Sequence, residues 1–67
     1  MERGTILSKT EKGYGFIKTT DKGPNIYFHA RDLFNVKFYE LEIGDQVQFN
    51  LTDTPKGPAA VDVTVIY

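Results

Sequence analysis

Alternation of apolar and polar residues is the main pattern along this chain. In the segments DQVQFNLT (45–52) and AAVDVTVIY (59–67), every second residue is apolar, as a strand with one buried face requires. The residues predicted to face a core in these segments are Val47, Phe49, Leu51, Val61, Val63 and Val65. Since no segment has apolar residues at helical spacing over three turns, the chain is predicted to be all-β.

Glycine and proline mark the reversals between these runs, in TDKGP (20–24), EIGD (42–45) and DTPKGP (53–58). The predicted strands cover residues 3–9, 13–20, 25–29, 45–52 and 59–66. Between the third and fourth strands, HARDLFNVKFYELE is a long connection with one helical turn near Asp32 and Leu33. Five short strands without a covering helix bury their apolar sides best by closing into a small barrel.

Length and composition narrow the protein class. The 67 residues allow one domain, 1–67. The chain contains no cysteine, so neither a disulfide nor a thiolate metal site can stabilise it. The start, MERGTILSKT, lacks the apolar core of a signal peptide, and no run is long enough to span a bilayer. We therefore expect a cytoplasmic protein that has no membrane partner. A monomer is favoured, but the sequence leaves the oligomeric state open.

Charge is unevenly distributed along the chain. The net charge is −1, which argues against strong attraction to polyanions. Residues 1–37, however, contain seven basic and four acidic residues, whereas residues 38–67 contain one basic and five acidic residues. A cluster of aromatic residues lies in the basic half, in EKGYGFIKTTDKGPNIYFHA (11–30).

Parity divides this aromatic cluster into two sets. If residues 13–20 and 25–29 form a hairpin, Ile17, Ile26 and Phe28 share one face, which is purely apolar. The opposite face carries Lys12, Tyr14, Phe16, Lys18, Tyr27 and His29. Because lysine is rarely buried, this mixed face is predicted to be the outer one.

Exposed rings interleaved with lysines suit single-stranded nucleic acid, because bases stack on rings while cations follow the phosphates. Each stacked base contributes about 1–3 kcal/mol, so four platforms can outweigh a small negative net charge. The alternative is that some of these rings cover a barrel edge or contact a partner protein.

Two motifs resemble a known family. KGYGFI (12–17) and NIYFHA (25–30) are similar to the two nucleic-acid-binding motifs of the cold-shock domain, and the similarity runs from GTI through GDQVQFN to KGPAAVDV. The resemblance implies a five-stranded antiparallel OB-fold-like barrel that binds single-stranded RNA or DNA with little sequence selectivity. The RNA-recognition motif has a similar signature, but it needs two helices and an aromatic residue where Thr19 stands.

The same resemblance implies roles for individual residues. Lys12 would contact a phosphate or base edge, Phe38 in VKFYEL would add a loop platform, and Lys56 in PKGPAA would lie near the bound strand. The residues implied to stack on bases are Tyr14, Phe16, Tyr27 and His29. Lys18, on the same face, completes the predicted interface.

The chain also departs from the family pattern. ILSK stands where members usually have a WFN-like segment with a stacking tryptophan, and Ala30 stands where an aromatic residue usually follows the histidine. We therefore expect a shorter footprint and weaker binding. Whether Lys9 compensates through a phosphate contact is left open by the sequence.

Other functions find less support. His29 is the single histidine, and Ser8 as its partner nucleophile would lie at no known motif spacing. One histidine and scattered carboxylates form no metal-ligand cluster. We expect no enzymatic activity, no cofactor and no small-molecule substrate. A protein-interaction module that uses the same aromatic face is the alternative function.

Overall fold

The computed structural model describes residues 2–19 and 25–66. The strands are β1 (Glu2–Lys9), β2 (Tyr14–Thr19), β3 (Ile26–His29), β4 (Gln46–Thr54) and β5 (Gly57–Val65). Two 3-10 turns, Ala30–Asp32 and Phe38–Glu40, lie in the connection between β3 and β4, where the sequence predicts one. The predicted turn at 20–24 and the predicted strand end at Thr20 lie outside the described residues. Within these ranges, none of the helical segments has the length and apolar character that crossing a membrane requires.

The five strands close into a barrel in the order β1-β2-β3-β5-β4, which confirms the predicted fold class. Four neighbouring pairs are antiparallel. The β3–β5 pair is parallel, with Tyr27 opposite Ala59. Five is an odd number, so strands of alternating direction cannot close a ring without one parallel pair. The parallel contact continues at Leu33, which bridges to Val63.

The barrel interior is filled by side chains from every strand. The buried cluster consists of Ile6, Ile17, Ile26, Phe28, Leu41, Val47, Phe49, Ala60, Val63 and Val65. The predicted core residues of the β2–β3 hairpin are therefore confirmed. Leu41 was not predicted, because it comes from the long connection rather than from an alternating strand.

Two predicted core positions are wrong. Leu51 is 51% exposed, since β1 pairs with β4 only from Gln46 to Phe49 and leaves the rest of β4 uncovered. Val61 is half-buried because the β4–β5 register shifts between Gln48 and Asn50. In the irregular stretch of β5, Asp62 has a φ of 52°, and past it the side-chain alternation is displaced by one residue. Ala60 consequently takes the buried position.

The β4–β5 hairpin is longer than predicted. Pairing continues to Thr54 opposite Gly57, so Pro55 and Lys56 alone form the tip. The Thr54 hydroxyl donates to the Gly57 carbonyl at 2.6 Å and accepts from the Lys56 backbone N–H at 3.2 Å. These bonds hold the backbone on both sides of Lys56.

Candidate nucleic-acid interface

Three aromatic rings contact one another on the outer face of β2 and β3. Phe16 lies opposite Tyr27, and Tyr14 lies opposite His29. The centroids of the Tyr14 and Tyr27 rings are 5.6 Å apart, and each lies 6.2 Å from the centroid of Phe16. Tyr14, Phe16 and Tyr27 are called the ring cluster below. Their outward direction agrees with the division by parity that the sequence predicts.

Gly15 allows the ring cluster to lie directly over the core. A Cβ atom at this position would lie 2.3 Å from the Ser8 carbonyl oxygen and 2.9 Å from the Phe28 ring, so no larger residue fits. Gly13 has a φ of 91°, a conformation that residues with a Cβ rarely adopt. Both glycines of KGYGFI are therefore required by the backbone, whereas Tyr14, between them, and Phe16, after Gly15, present their rings outward.

A groove of about 660 Å³ lies between the ring cluster and the tip of the β4–β5 hairpin. This volume is within the range of small-ligand sites. Its lining residues are Tyr14, Phe16, Tyr27, Arg31, Thr54, Pro55, Lys56 and Pro58. The parallel pair between β3 and β5 brings the hairpin beside the rings, since Tyr27 lies opposite Ala59.

Two exposed cations line this groove. Lys56 lies in the acidic half of the sequence, and the hairpin carries it to the rings of the basic half. Arg31 reaches the groove from the first 3-10 turn. Neither side chain forms an ion pair with any described residue. The sequence predicts Lys56 but misses Arg31, although its place directly after NIYFHA was an available signal.

His29 has a structural contact that the sequence did not indicate. Its Nδ1 accepts a hydrogen bond from the Arg31 backbone N–H at 3.2 Å, and its own backbone N–H donates to Asp32 Oδ2 at 3.0 Å. The imidazole thus caps the first 3-10 turn. It neighbours Tyr14 across the strand pair but is not among the groove-lining residues.

Lys12 and Lys18 are exposed and lie outside the groove lining. Lys12 belongs to the turn before β2, which is closed by a 2.8 Å bond from the Thr10 backbone N–H to the Tyr14 carbonyl. Lys18 lies near the far end of β2, opposite Thr5. Because side chains alternate along a strand, Lys18 shares the outer face with the ring cluster.

Phe38 lies apart from the ring cluster. It is half-buried, packs against the core and has its ring centroid 6.2 Å from that of Phe28. A second depression is lined by Lys9, Thr10, Glu11, Phe38 and Tyr39. Tyr39 is 77% exposed and was not predicted as a site residue.

Lys9, whose role the sequence left open, binds within the protein. Its ammonium group donates to the carbonyl oxygens of Phe38 and Leu41 and lies 5.5 Å from the Phe38 ring centroid. Lys9 therefore holds the segment around Phe38 against the end of β1.

A third depression is acidic, in contrast to the groove beside the ring cluster, which carries Arg31 and Lys56. Its acidic lining residues are Glu40, Glu42 and Asp45, which accompany Asn35, Val36, Val65 and Ile66. The described groove-lining residues include no carboxylate. The uneven charge along the sequence is therefore also a separation of charge between surfaces of the fold.

Comparison with known proteins identifies the family. The model of the 'Cold-shock' DNA-binding domain matches residues 2–66. The chain belongs to the cold-shock domain family. Members of this family are non-enzymatic proteins that bind single-stranded nucleic acid. The family assignment that the motifs KGYGFI and NIYFHA indicate is therefore confirmed.

Individual relatives agree with the cold-shock domain assignment. The chain is 38% identical over 66 residues to the "Cold shock-like protein" of Aquifex aeolicus, covering 96% of this chain and 93% of that protein. It is 41% identical over 65 residues to the "Major cold shock protein" of Micrococcus luteus, covering 96% and 97%.

A solved structure described as drosophila Unr CSD456 superimposes with a TM-score of 0.81 at 25% identity. The match covers 98% of this chain and 26% of that one. This cold-shock fold therefore corresponds to about a quarter of the longer chain.

Proposed function

We propose that this chain binds single-stranded RNA or DNA by stacking bases on the ring cluster, in the manner of an RNA chaperone or a regulator of transcription or translation. The observation that carries the proposal is the groove, in which three contacting rings are flanked by two cations without an ion-pair partner in the described chain. Aromatic platforms combined with unpaired cations suit bases and phosphates together.

Each proposed contact has a distinct physical role. Tyr14, Phe16 and Tyr27 stack on bases, with His29 adjoining them through its position opposite Tyr14. Stacking is tolerant of sequence because every base has a π-face. The exposed ammonium groups of Lys12, Lys18 and Lys56 attract the phosphates.

Phe38 is the proposed outlying platform. It shares its depression with the exposed ring of Tyr39, away from the groove of the ring cluster. β1 contains no tryptophan, and Ala30 rather than an aromatic residue follows His29. Few aromatic rings therefore extend the stacking surface between the ring cluster and Phe38. We therefore propose a short footprint and weaker binding than in members that carry those rings.

The test is a titration of dye-labelled oligo-U and oligo-dT at low salt, followed by fluorescence anisotropy. Phe16→Ala and Tyr27→Ala should each weaken binding about tenfold, since a stacked base contributes about 1–3 kcal/mol. Phe34→Ala is the matched control, because Phe34 is 76% exposed and lies outside the groove. Circular dichroism should show a folded barrel in all variants.

Absence of binding by the wild type, or equal binding by Phe16→Ala and Phe34→Ala, would contradict the proposal. If the oligonucleotides fail to bind, but the same rings are required for binding to a protein partner, the face is a peptide-docking surface instead.

A further inference from the structure

We infer that the groove selects guanine at one position of the bound strand and that Arg31 is the selecting residue. The inference rests on the proposed function and adds to it a base preference at the ring cluster. Elsewhere on the interface, stacking remains tolerant of sequence.

The backbone of Arg31 is held in place at the end of β3. Its N–H donates to His29 Nδ1 at 3.2 Å, and the Asp32 carboxylate accepts from the His29 backbone N–H at 3.0 Å. These two bonds close the 3-10 turn on the strand that carries Tyr27. The Arg31 side chain therefore starts from a fixed point beside the rings and lines the groove.

The guanidinium group of Arg31 is available to a ligand. The side chain is exposed and has no hydrogen-bond or ion-pair partner among the described residues. Asp32, the acid next to it in sequence, is engaged in the cap. No described residue therefore accepts a hydrogen bond from any of the five N–H donors of the planar fork.

Among the described residues, the opposite side of the groove offers one side-chain acceptor site, the remaining lone pair of the Thr54 hydroxyl. Pro55 and Pro58 carry no polar side-chain atom, and Lys56 can only donate. The Thr54 hydroxyl already donates one bond and accepts another within the hairpin.

The Tyr14 and Tyr27 hydroxyls can donate or accept, whereas Arg31 and Lys56 can only donate. A base lying on the ring cluster therefore meets mainly donors around its edge and is favoured when that edge carries acceptors.

Guanine fits these donors best. Its O6 and N7 are adjacent acceptors that an arginine fork binds in bidentate fashion. Adenine offers the same area for stacking but replaces O6 with the N6 amino donor, which would face the donors of Arg31. Uracil and thymine present one acceptor, O4, on the corresponding edge. Comparison of guanine with adenine thus isolates the contact with Arg31.

The test measures affinity for uridine oligomers with a single central guanosine or adenosine, and for the corresponding thymidine oligomers. The wild type should bind the guanine strands about fivefold or more tightly than the adenine strands, in both RNA and DNA. Arg31→Ala and Arg31→Lys should reduce this ratio to about one, because lysine keeps the charge but not the fork. Replacing guanosine by 7-deazaguanosine should weaken wild-type binding.

Arg3→Ala is the matched control for charge, since Arg3 is exposed on β1 and does not line the groove. It should leave the ratio of guanine to adenine binding unchanged. A wild-type ratio of one, or a ratio retained by Arg31→Ala or Arg31→Lys, overturns the inference while the proposed function stands. Failure of every oligomer to bind overturns the proposed function and the inference together.

Discussion

Lys9 and Phe38 contact each other across 29 positions of sequence. The Lys9 ammonium group donates to the Phe38 carbonyl at 3.4 Å and lies 5.5 Å from the centroid of its ring. It also donates to the carbonyl of Leu41, whose side chain is buried in the core. The cation joins the end of β1 to the connection between β3 and β4, beside the half-buried ring of Phe38.

Lys9→Met should therefore destabilise the barrel. The change keeps the apolar stem but removes the ammonium group, and we expect the free energy of unfolding to fall by about 1–2 kcal/mol. Urea denaturation followed by circular dichroism measures this. Lys12→Met is the control, because Lys12 is exposed and has no side-chain partner in the described chain. Equal midpoints for the two variants would show that the contact contributes nothing.

Gly15→Ala should cost stability through steric overlap. The added methyl group would lie 2.3 Å from the Ser8 carbonyl oxygen and 2.9 Å from the Phe28 ring, so β1 or β2 must move. We expect a loss of about 1–3 kcal/mol in the free energy of unfolding. At Gly13 no described atom beyond its chain neighbours lies within 4 Å of an added Cβ, so Gly13→Ala measures the strain of a positive φ, about 1–3 kcal/mol, without steric overlap. A wild-type midpoint for Gly15→Ala would disprove the close packing of β1 on β2.

Truncation of leucine to alanine should lower the free energy of unfolding by different amounts at two positions. Leu41→Ala empties a fully buried site and should lower the free energy of unfolding by about 2–5 kcal/mol. Leu51→Ala should cost less than about 1 kcal/mol, because Leu51 is 51% exposed beyond the edge of β1. Thermal unfolding of both variants measures the difference. Similar losses would indicate that Leu51 is covered in solution.

Salt should weaken oligonucleotide binding to a moderate extent. For single strands, each neutralised phosphate contributes a slope of about −0.7 to log K against log salt, so two to four contacts predict about −1.4 to −2.8. Lys56→Ala should reduce the slope by about 0.7. Lys37→Ala should not, since Lys37 is exposed outside the groove lining. Binding that is independent of salt would remove the phosphates from the proposed interface.

Much of the interface could be predicted from neighbouring residues alone. Alternation separates Phe16 from Ile17 and Tyr27 from Phe28, and the structure places the first of each pair outside and the second in the core. The same rule was wrong for Leu51, because it cannot tell where the neighbouring strand ends.

Contacts between distant segments were beyond this kind of prediction. Arg31 lies directly after a recognisable motif, yet its proximity to Lys56 depends on the parallel pairing of β3 with β5. The contact between Lys9 and Phe38 likewise depends on how the long connection folds over the barrel end.

The sequence by itself determined the all-β class, the approximate positions of the strands along the chain and the division of the rings into an inner and an outer set. These properties follow from side-chain alternation and from where glycine and proline interrupt it. Only the tertiary structure decided the irregularity at Asp62, the exposure of Leu51 and the groove shared by Arg31 and Lys56. The irregularity at Asp62 depends on the register within the β4–β5 hairpin, and the other two features depend on pairing between strands that are distant in sequence. Local pattern specifies neither.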